Sequence, residues 1–135
     1  MRRIIAATDE HLALLCSKVE YVASPNMRGI ALLVDDVPQI VVGYDGWTEG
    51  SVVMHQWISH PRYLGRDIIR EAFRFPFSNG LRTVLGVVRS DNPEALRLDA
   101  GLGFLTAAVI PDAYGPGVDM HILHLPSHLC KWYTP

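Results

Sequence analysis

The sequence predicts an α/β (α+β) fold with a mixed, largely antiparallel central sheet and helices on both faces. Three observations support this prediction. Apolar runs of strand length alternate with stretches of helical period. The strands of the first half follow one another through short turns, as in antiparallel hairpins. A strand–helix–strand unit in the second half requires a parallel crossover. Because 49% of the 135 residues are apolar and no linker or repeat interrupts them, we expect one domain over residues 1–135.

The first half should contain one helix and four strands. Thr8, Asp9 and Glu10 predict the helix start, because a hydroxyl group caps the first turn and carboxylates complement the helix dipole. Apolar residues then recur at steps of three and four, as on one face of a helix. Asp45-Gly46 is a strong hairpin turn signal. The strands are predicted at residues 4–7, 29–34, 39–44 and 51–58.

The second half should contain two helices and three strands. Apolar residues with helical spacing precede Pro76, which lacks an N–H and is expected to end the helix near Phe75. Asn92 followed by Pro93 predicts the start of another helix, and Gly101 is expected just past its end. The strands are predicted at residues 83–88, 105–110 and 118–123.

Composition and charge exclude several classes of function. The net charge of −2 and the pI near 6.3 give no basic surface for nucleic acid. No apolar stretch reaches the length of a membrane-spanning helix. Only four apolar residues follow the basic Met1-Arg2-Arg3, so no secretory signal is predicted. Cys16 and Cys130 form no C-x-x-C pair, which indicates reduced thiols in a cytoplasmic protein.

Two segments have residues suited to ligand binding. Arg62-Tyr63-Leu64-Gly65-Arg66-Asp67 lies where a helix begins, and unpaired N–H groups there suit a phosphate. Gly65 would allow close approach of a ligand, and Arg62 and Arg66 would add positive charge. The alternative is an ordinary loop with solvated arginines. The second segment begins at Asn92, which read locally is a helix cap.

Together the two segments resemble the signature motifs of the GNAT superfamily of acyl-CoA-dependent N-acyltransferases. Residues 62–67 are similar to the family's Q/R-x-x-G-x-G/A loop. The family's N-x-x-A-x-x-x-Y-x-x-x-G-F pattern is matched at Asn92, Ala95, Gly103 and Phe104. The predicted order of elements is also the family's order. The end of the chain, with Gly117-Val118-Asp119 and Cys130-Lys131-Trp132, resembles a small phage-encoded branch of the superfamily.

The resemblance implies an N-acetyltransferase that transfers an acetyl group from acetyl-CoA to a primary amine on a small molecule or a protein. It implies that the sheet splits beside the strand ending near Ile58, and that the pantetheine arm pairs there with the backbone of Trp57 and Ile58. Asn92 would contact the same arm. The pyrophosphate would rest beside Arg62, on the N–H groups of Leu64, Gly65, Arg66 and Asp67.

Two positions depart from the family pattern. Asp67 stands where the family has Gly or Ala, and its carboxylate would repel a pyrophosphate unless Arg62, Arg66 and Arg70 offset it. Asp99 stands at the position of the tyrosine that acts as acid toward sulfur. It would need a raised pKa for that role, and the alternative is an exposed helix residue with no role.

The base that deprotonates the amine is also open. His55 on the central strand is the first candidate, because imidazole titrates near neutrality. The alternative is a packed, hydrogen-bonded strand histidine. His60, at the strand end, is a weaker candidate.

Two further functions stay open. The departures at Asp67 and Asp99 suit a non-catalytic GNAT-like module that binds CoA or a protein partner. A metal-dependent protein is the other alternative, although the alternation of strand side chains separates the candidate ligands and no metal is expected. Those ligands are His121, His124, His128 and Cys130. The late strands offer an edge for a homodimer, which the sequence leaves undecided.

Overall fold

The structure is a computed structural model that describes residues 1–135. Its seven strands and three α-helices follow the predicted order. The strands are β1 (Arg2–Ala6), β2 (Arg28–Val34), β3 (Val37–Asp45), β4 (Ser51–Ile58), β5 (Thr83–Arg89), β6 (Leu105–Gly115) and β7 (Val118–Pro126). The helices are α1 (Asp9–Val19), α2 (Arg66–Ser78) and α3 (Pro93–Leu102), with short 3₁₀ turns at Pro61–Tyr63 and Ser127–Leu129. No helix has the length and hydrophobicity that crossing a bilayer would require.

All seven strands form one sheet in the order β1-β2-β3-β4-β5-β7-β6. Every neighbouring pair is antiparallel except β4 and β5, which are parallel, so the mixed and largely antiparallel sheet is confirmed. The parallel pair is short: Ser51, Val52 and Val53 pair with Thr83, Val84 and Leu85. Beyond these residues the two strands separate, which leaves residues 54–58 and 86–89 without a partner on their facing edges.

Apolar side chains fill both faces of the sheet. Successive strand residues point to opposite faces, so β2 and β3 contribute to two cores. One face packs against α1 through Leu15, Met27, Ala31, Leu33 and Val41. The other face packs against α2 and α3 and holds the larger core of 19 buried residues, which includes Ile30, Leu32, Ile40 and Val42. Helices on both faces are therefore confirmed.

The predicted helix starts of α1 and α3 are confirmed by their caps. The Thr8 hydroxyl accepts a hydrogen bond from the His11 N–H at 3.2 Å, and His11 Nδ1 accepts one from the Thr8 N–H at 3.1 Å. The Asn92 side chain accepts a hydrogen bond from the Ala95 N–H at 3.2 Å. Pro93, which has no N–H to leave unpaired, occupies the first helical position.

The expectation that Pro76 ends α2 is wrong, because the helix continues to Ser78. In a helix the carbonyl of Ala72 would accept the N–H of residue 76, which proline lacks. Here the Tyr44 hydroxyl donates to the Ala72 carbonyl instead. Tyr44 is fully buried on β3, and Pro76 is buried against the same core. A tertiary hydrogen bond therefore replaces the missing helical one.

Two expectations about where α3 and β6 end are also wrong. Gly101 lies inside α3, and the residue past the helix is Gly103, whose φ of 110° is in the left-handed region that glycine adopts without strain. The strand predicted at residues 105–110 is longer than expected, because β6 runs on through Pro111 to Gly115. Pro111 can be accommodated there since β6 is an edge strand and its pairing is irregular between Ile110 and Gly115.

Replacing Tyr44→Phe should destabilise the fold by about 1–3 kcal/mol, because it leaves the buried Ala72 carbonyl without a donor. The cost should shrink by about 1 kcal/mol or more in a Pro76→Ala background, where a helical N–H again reaches that carbonyl. Urea unfolding of the two single variants and the double variant measures this coupling. Strictly additive changes in the free energy of unfolding would contradict the inference that the Tyr44 hydroxyl replaces the hydrogen bond that Pro76 cannot make.

Candidate active site

The separation of β4 from β5 opens a cavity of about 580 Å³. The end of α1, both separated strands, α3 and the β6–β7 pair contribute to its wall. The polar residues that line it include Tyr21, His55, Gln56, Asn92 and Asp99. Because no strand fills the gap, side chains from both faces of the sheet reach the same space.

His55 and Gln56 of β4 illustrate how side chains on opposite faces of the sheet reach the same cavity. His55 and Gln56 are adjacent, so their side chains leave the strand on opposite faces. The His55 ring lies against Tyr21 at the end of α1, with 4.0 Å between ring centroids. Gln56 Nε2 donates to Asp99 Oδ1 on α3 at 3.1 Å. The cavity therefore collects one group from the α1 face and one from the α3 face.

Asp99 is buried, with 6% of its surface exposed, so the alternative of an exposed helix residue is wrong in its exposure. Its carboxylate is near the strand gap: a Cβ added at Gly86 of β5 would lie 3.8 Å from Asp99 Oδ2. Burial raises the pKa of Asp99 to about 6, and the single hydrogen bond from Gln56 only partly opposes this. Asp99 can thus hold or release a proton close to neutral pH.

His55 lines the cavity as a half-buried imidazole. Burial lowers its pKa, and the charge of Asp45 partly opposes that shift, so the ring is neutral near pH 7. Its Nε2 atom is enclosed and has no hydrogen-bond partner in the protein. Of the alternative of a packed, hydrogen-bonded strand histidine, the packing is therefore observed, whereas this nitrogen has no hydrogen bond. His60 lies apart: its Nδ1 accepts the N–H of Arg62 at 3.1 Å and caps the 3₁₀ turn that follows β4.

Asp45 fixes the wall behind His55. Its carboxylate is buried and accepts hydrogen bonds from the Tyr21 hydroxyl at 2.9 Å, the Ser24 N–H at 2.8 Å and the Ser24 hydroxyl. Burial raises the pKa of Asp45, but these bonds and one from the Gly46 N–H outweigh it and lower the pKa below its ordinary value. Asp45 is therefore an ionised anchor that holds Tyr21 against His55.

The start of α2 differs from the expected open cradle of N–H groups. Asp67 Oδ1 accepts the N–H of Ile68 at 2.8 Å, and the Leu64 N–H is used within the 3₁₀ turn, where it donates to Pro61 at 3.0 Å. Arg2 of β1 donates Nε and Nη2 to the two Asp67 oxygens, both at 2.8 Å. The protein's own carboxylate thus occupies part of the site expected for a phosphate.

The expectation that Arg62, Arg66 and Arg70 offset the charge of Asp67 is not what the structure shows, because Arg2 makes the ion pair. The hydrogen bonds from Arg2 lower the pKa of Asp67. The Arg62 guanidinium instead lies over the Tyr63 ring, 4.8 Å from its centroid, and donates to the Tyr63 hydroxyl at 3.0 Å. The positive charge that compensates Asp67 therefore comes from Arg2 of β1, more than sixty residues away in the sequence.

A separate apolar void of about 30 Å³ lies in the core between the end of β4 and the beginning of α2. It has room for little more than a water molecule, and its lining shares only Met54 and Gln56 with that of the main cavity. Ile58, Leu64 and Ile68 line this void, so the end of β4 lies beside the start of α2. Trp57 packs its side chain against the core on the α1 face, whereas Ile58 packs against the core on the other face. Asn92 both caps α3 and lines the main cavity.

The candidate metal ligands are not brought together. The structure contains no group of three or more His, Cys, Asp or Glu side chains that could hold a metal ion. His121 and His124 lie on β7, and His128 and Cys130 lie in and after the 3₁₀ turn that follows it.

Four residues of the site were missed by sequence reasoning. Asp45 carried a signal only for a turn, and Gln56 was overlooked beside His55. Tyr21 and Arg2 had no local signal, because their roles arise from contacts with distant elements. The periodicity of β4 could have suggested Gln56, since it lies on the face opposite His55.

Solved structures similar to this chain are acetyltransferases. The spermidine/spermine N-acetyltransferase SpeG of Vibrio cholerae, solved in mutant forms, is 14% identical over 95% of this chain and 96% of its own, with a TM-score of 0.72. An acetyltransferase of the GNAT family from Streptococcus pneumoniae is 14% identical over 93% of this chain and 99% of its own, with a TM-score of 0.74. Spermidine N-acetyltransferase from Vibrio cholerae in complex with CoA and spermine is 16% identical over 91% of this chain and 78% of its own, with a TM-score of 0.65.

No family model matches the sequence, and no curated protein matches it. At these identities the structural likeness establishes the fold. The chain has the fold of the GNAT acetyltransferases, and the resemblance inferred from its motifs is confirmed at that level.

The raised pKa of Asp99 should make folding stability depend on pH. The folded state binds this proton more tightly than the unfolded chain does, so the stabilisation is complete below pH 3.8 and is lost as the pH rises through about 6. Asp99→Asn removes this dependence. Its free energy of unfolding relative to wild type should rise by up to about 3 kcal/mol across that window and stay constant above it.

Urea unfolding between about pH 4 and pH 7.5 measures this difference. Asp36→Asn is the matched control. Asp36 is an exposed carboxylate paired with Arg3 near the β1 edge of the sheet, well away from β5. Parallel stability curves for wild type and Asp99→Asn would contradict the raised pKa.

Proposed function

We propose that the protein is an N-acetyltransferase that transfers an acetyl group from acetyl-CoA to a primary amine. The observation that supports this best is the cavity between β4 and β5, where a carboxyl group with a pKa of about 6 and a neutral imidazole approach from opposite faces. A proton donor and a proton acceptor beside one gap are what acyl transfer to an amine requires. The fold, found in acetyltransferases that include one solved with CoA and spermine, supports the same reaction.

The separated strands suit the acyl donor. Residues 54–58 and 86–89 present backbone groups without a strand partner, and the amides of a pantetheine arm can pair with them as an added strand would. Trp57 and Ile58 would contribute backbone groups, and Asn92 would line the other side. Gly86 keeps the gap open, because a side chain there would extend toward Asp99. The bound donor supplies the thioester whose carbonyl carbon the amine attacks.

His55 would act as the base. The amine must lose a proton as its nitrogen bonds to the carbonyl carbon, and the neutral imidazole of His55, whose Nε2 has no hydrogen-bond partner in the protein, would accept it. Because Nε2 is enclosed, the side chains around it would have to move aside for the amine to reach it. The nearby charge of ionised Asp45 stabilises the imidazolium that results. Tyr21, held by Asp45, keeps the ring in position.

Asp99 would act as the acid. When the bond between the acyl carbon and sulfur breaks, the sulfur takes up a proton, and a carboxyl group with a raised pKa retains one to donate. Gln56 orients the carboxyl group from Oδ1, which leaves Oδ2 facing the strand gap. The products are the acetylated amine and a free thiol, and both side chains regain their starting protonation from solvent.

The acceptor would be an amine on a small molecule or on a protein, and it would enter from the α1 side. Glu20, at the end of α1, lines that part of the cavity, and so does Arg89, whose guanidinium lies over the Tyr114 ring at 5.0 Å from its centroid. The Glu20 carboxylate suits a second cationic group on the acceptor, in competition with Arg89. The amine acceptors named for the solved neighbours, spermidine and spermine, are therefore the first to test.

A second candidate is a GNAT-like module that binds CoA or a protein partner without catalysis. One observation favours it: the Arg2–Asp67 ion pair covers the start of α2, where the donor's pyrophosphate would otherwise bind. The two candidates differ in turnover, because only the enzyme releases thiol from acetyl-CoA when an amine is present.

Excess acetyl-CoA should raise the melting temperature of the wild-type protein by several degrees, because a ligand that binds only the folded state stabilises it by mass action. Gly86→Val should abolish the shift by filling the gap beside Asp99. The matched control is Gly101→Val on α3, where an added Cβ meets no atom within 4 Å and the shift should persist. No shift in the wild type at millimolar acetyl-CoA would refute the acetyltransferase proposal.

Asp99→Asn should lower kcat for thiol release by about 100-fold or more while acetyl-CoA still protects against melting. Asp99→Glu should retain part of the activity, because it keeps a carboxyl group. In the wild type the rate should fall as the pH rises above about 6, since Asp99 loses its proton there, and this decline should be missing from the residual rate of Asp99→Asn. An unchanged kcat in Asp99→Asn would exclude Asp99 as the acid.

A further inference from the structure

The Asp67 carboxylate is bound at the start of α2 much as an external anion would be. It accepts the Ile68 N–H at 2.8 Å and two guanidinium donors from Arg2, each at 2.8 Å. The remaining capacity of Arg2 Nη2 is directed to the Tyr63 carbonyl at 2.6 Å. The charge and the N–H groups that attract anions to a helix start are thus already partly satisfied within the chain.

The same atoms also cover Gly65. A Cβ added at Gly65 would lie 3.0 Å from Arg2 Nη2 and 3.0 Å from Asp67 Oδ1. Glycine normally allows a phosphate to approach the backbone closely, but here the approach is filled by the ion pair. An incoming diphosphate would have to displace the carboxylate or accept its repulsion.

The ion pair lies where the free edge of β4 ends. Beyond Val53 this edge has no partner strand, and its last residue, Ile58, lines a small apolar void together with Leu64 and Ile68 at the beginning of α2. A donor that pairs with this edge, with its thioester near Asp99, therefore directs its far end toward Asp67. The ion pair would contact the part of the donor beyond the pantetheine arm.

We propose that Asp67 is a specificity-determining residue for the acyl donor. By holding the anion site at the start of α2, it removes most of the binding contribution of a diphosphate. Donor recognition then depends on the pantetheine arm, so pantetheine thioesters are accepted nearly as well as those of CoA. This inference rests on the proposed acetyltransferase function.

The test compares the dissociation constants of CoA and pantetheine, measured by titration calorimetry at about 0.15 M salt, where exposed charges are screened as in cells. In the wild type the two constants should agree within about tenfold. Asp67→Asn should strengthen CoA binding by about tenfold, since it removes the competing charge, and leave pantetheine binding unchanged. Glu71→Gln is the matched control, because Glu71 is another carboxylate of α2 in a two-bond arginine pair and lies one turn from the site.

Arg2→Gln provides a second variant with an opposite expected effect. It leaves the Asp67 charge uncompensated, so CoA binding should weaken while pantetheine binding stays the same. Circular dichroism establishes that each variant is folded. The inference is overturned if wild type binds CoA about a hundredfold more tightly than pantetheine, or if CoA binding is unchanged in both Asp67→Asn and Arg2→Gln. Failure of every variant to bind either ligand would refute the proposed function itself.

Discussion

The early separation of β4 and β5 is the constraint on which the rest of the site depends. A parallel pair can form only through a crossover, and here α2 provides it. Three residue pairs hold the strands together, and β3 and β7 hold them apart from there on. A fully paired sheet would separate its two faces completely. The gap instead lets His55 and Asp99, which belong to opposite faces, share one cavity.

Two buried carboxylates show how the surroundings assign different roles to the same chemical group. Both Asp45 and Asp99 are almost inaccessible to solvent. Asp45 receives several hydrogen bonds from Tyr21, Ser24 and Gly46, which outweigh burial and keep it ionised. Asp99 receives one, from Gln56, so burial dominates and its pKa rises. The number of donors around each carboxylate thus separates a fixed anchor from a group that can exchange a proton.

Two polar contacts between distant elements stabilise features that the local sequence disfavours. The Tyr44 hydroxyl satisfies the carbonyl that Pro76 leaves without a partner, so α2 keeps its last turn. Arg2 neutralises the Asp67 carboxylate at the other end of the same helix and ties β1 to it. The Arg2–Asp67 ion pair also determines which groups at the start of α2 an anion could contact. Both ends of the crossover helix therefore depend on strands from the first half of the chain.

The sequence by itself determined the order of the elements, the caps at Thr8 and Asn92, the parallel crossover and the place of His55 on the central strand, because these follow from periodicity and local hydrogen bonding. It also determined that position 99 carries a carboxylate. It did not determine where α2 and α3 end, since the effect of Pro76 depends on Tyr44, and Gly101 and Gly103 differ only in backbone conformation. Only the tertiary structure decided that Asp99 is buried, that Asp45 anchors Tyr21, and that Arg2 rather than Arg62, Arg66 or Arg70 pairs with Asp67. Burial and pairing are properties of elements far apart in the chain, and they become defined only when the sheet brings those elements together.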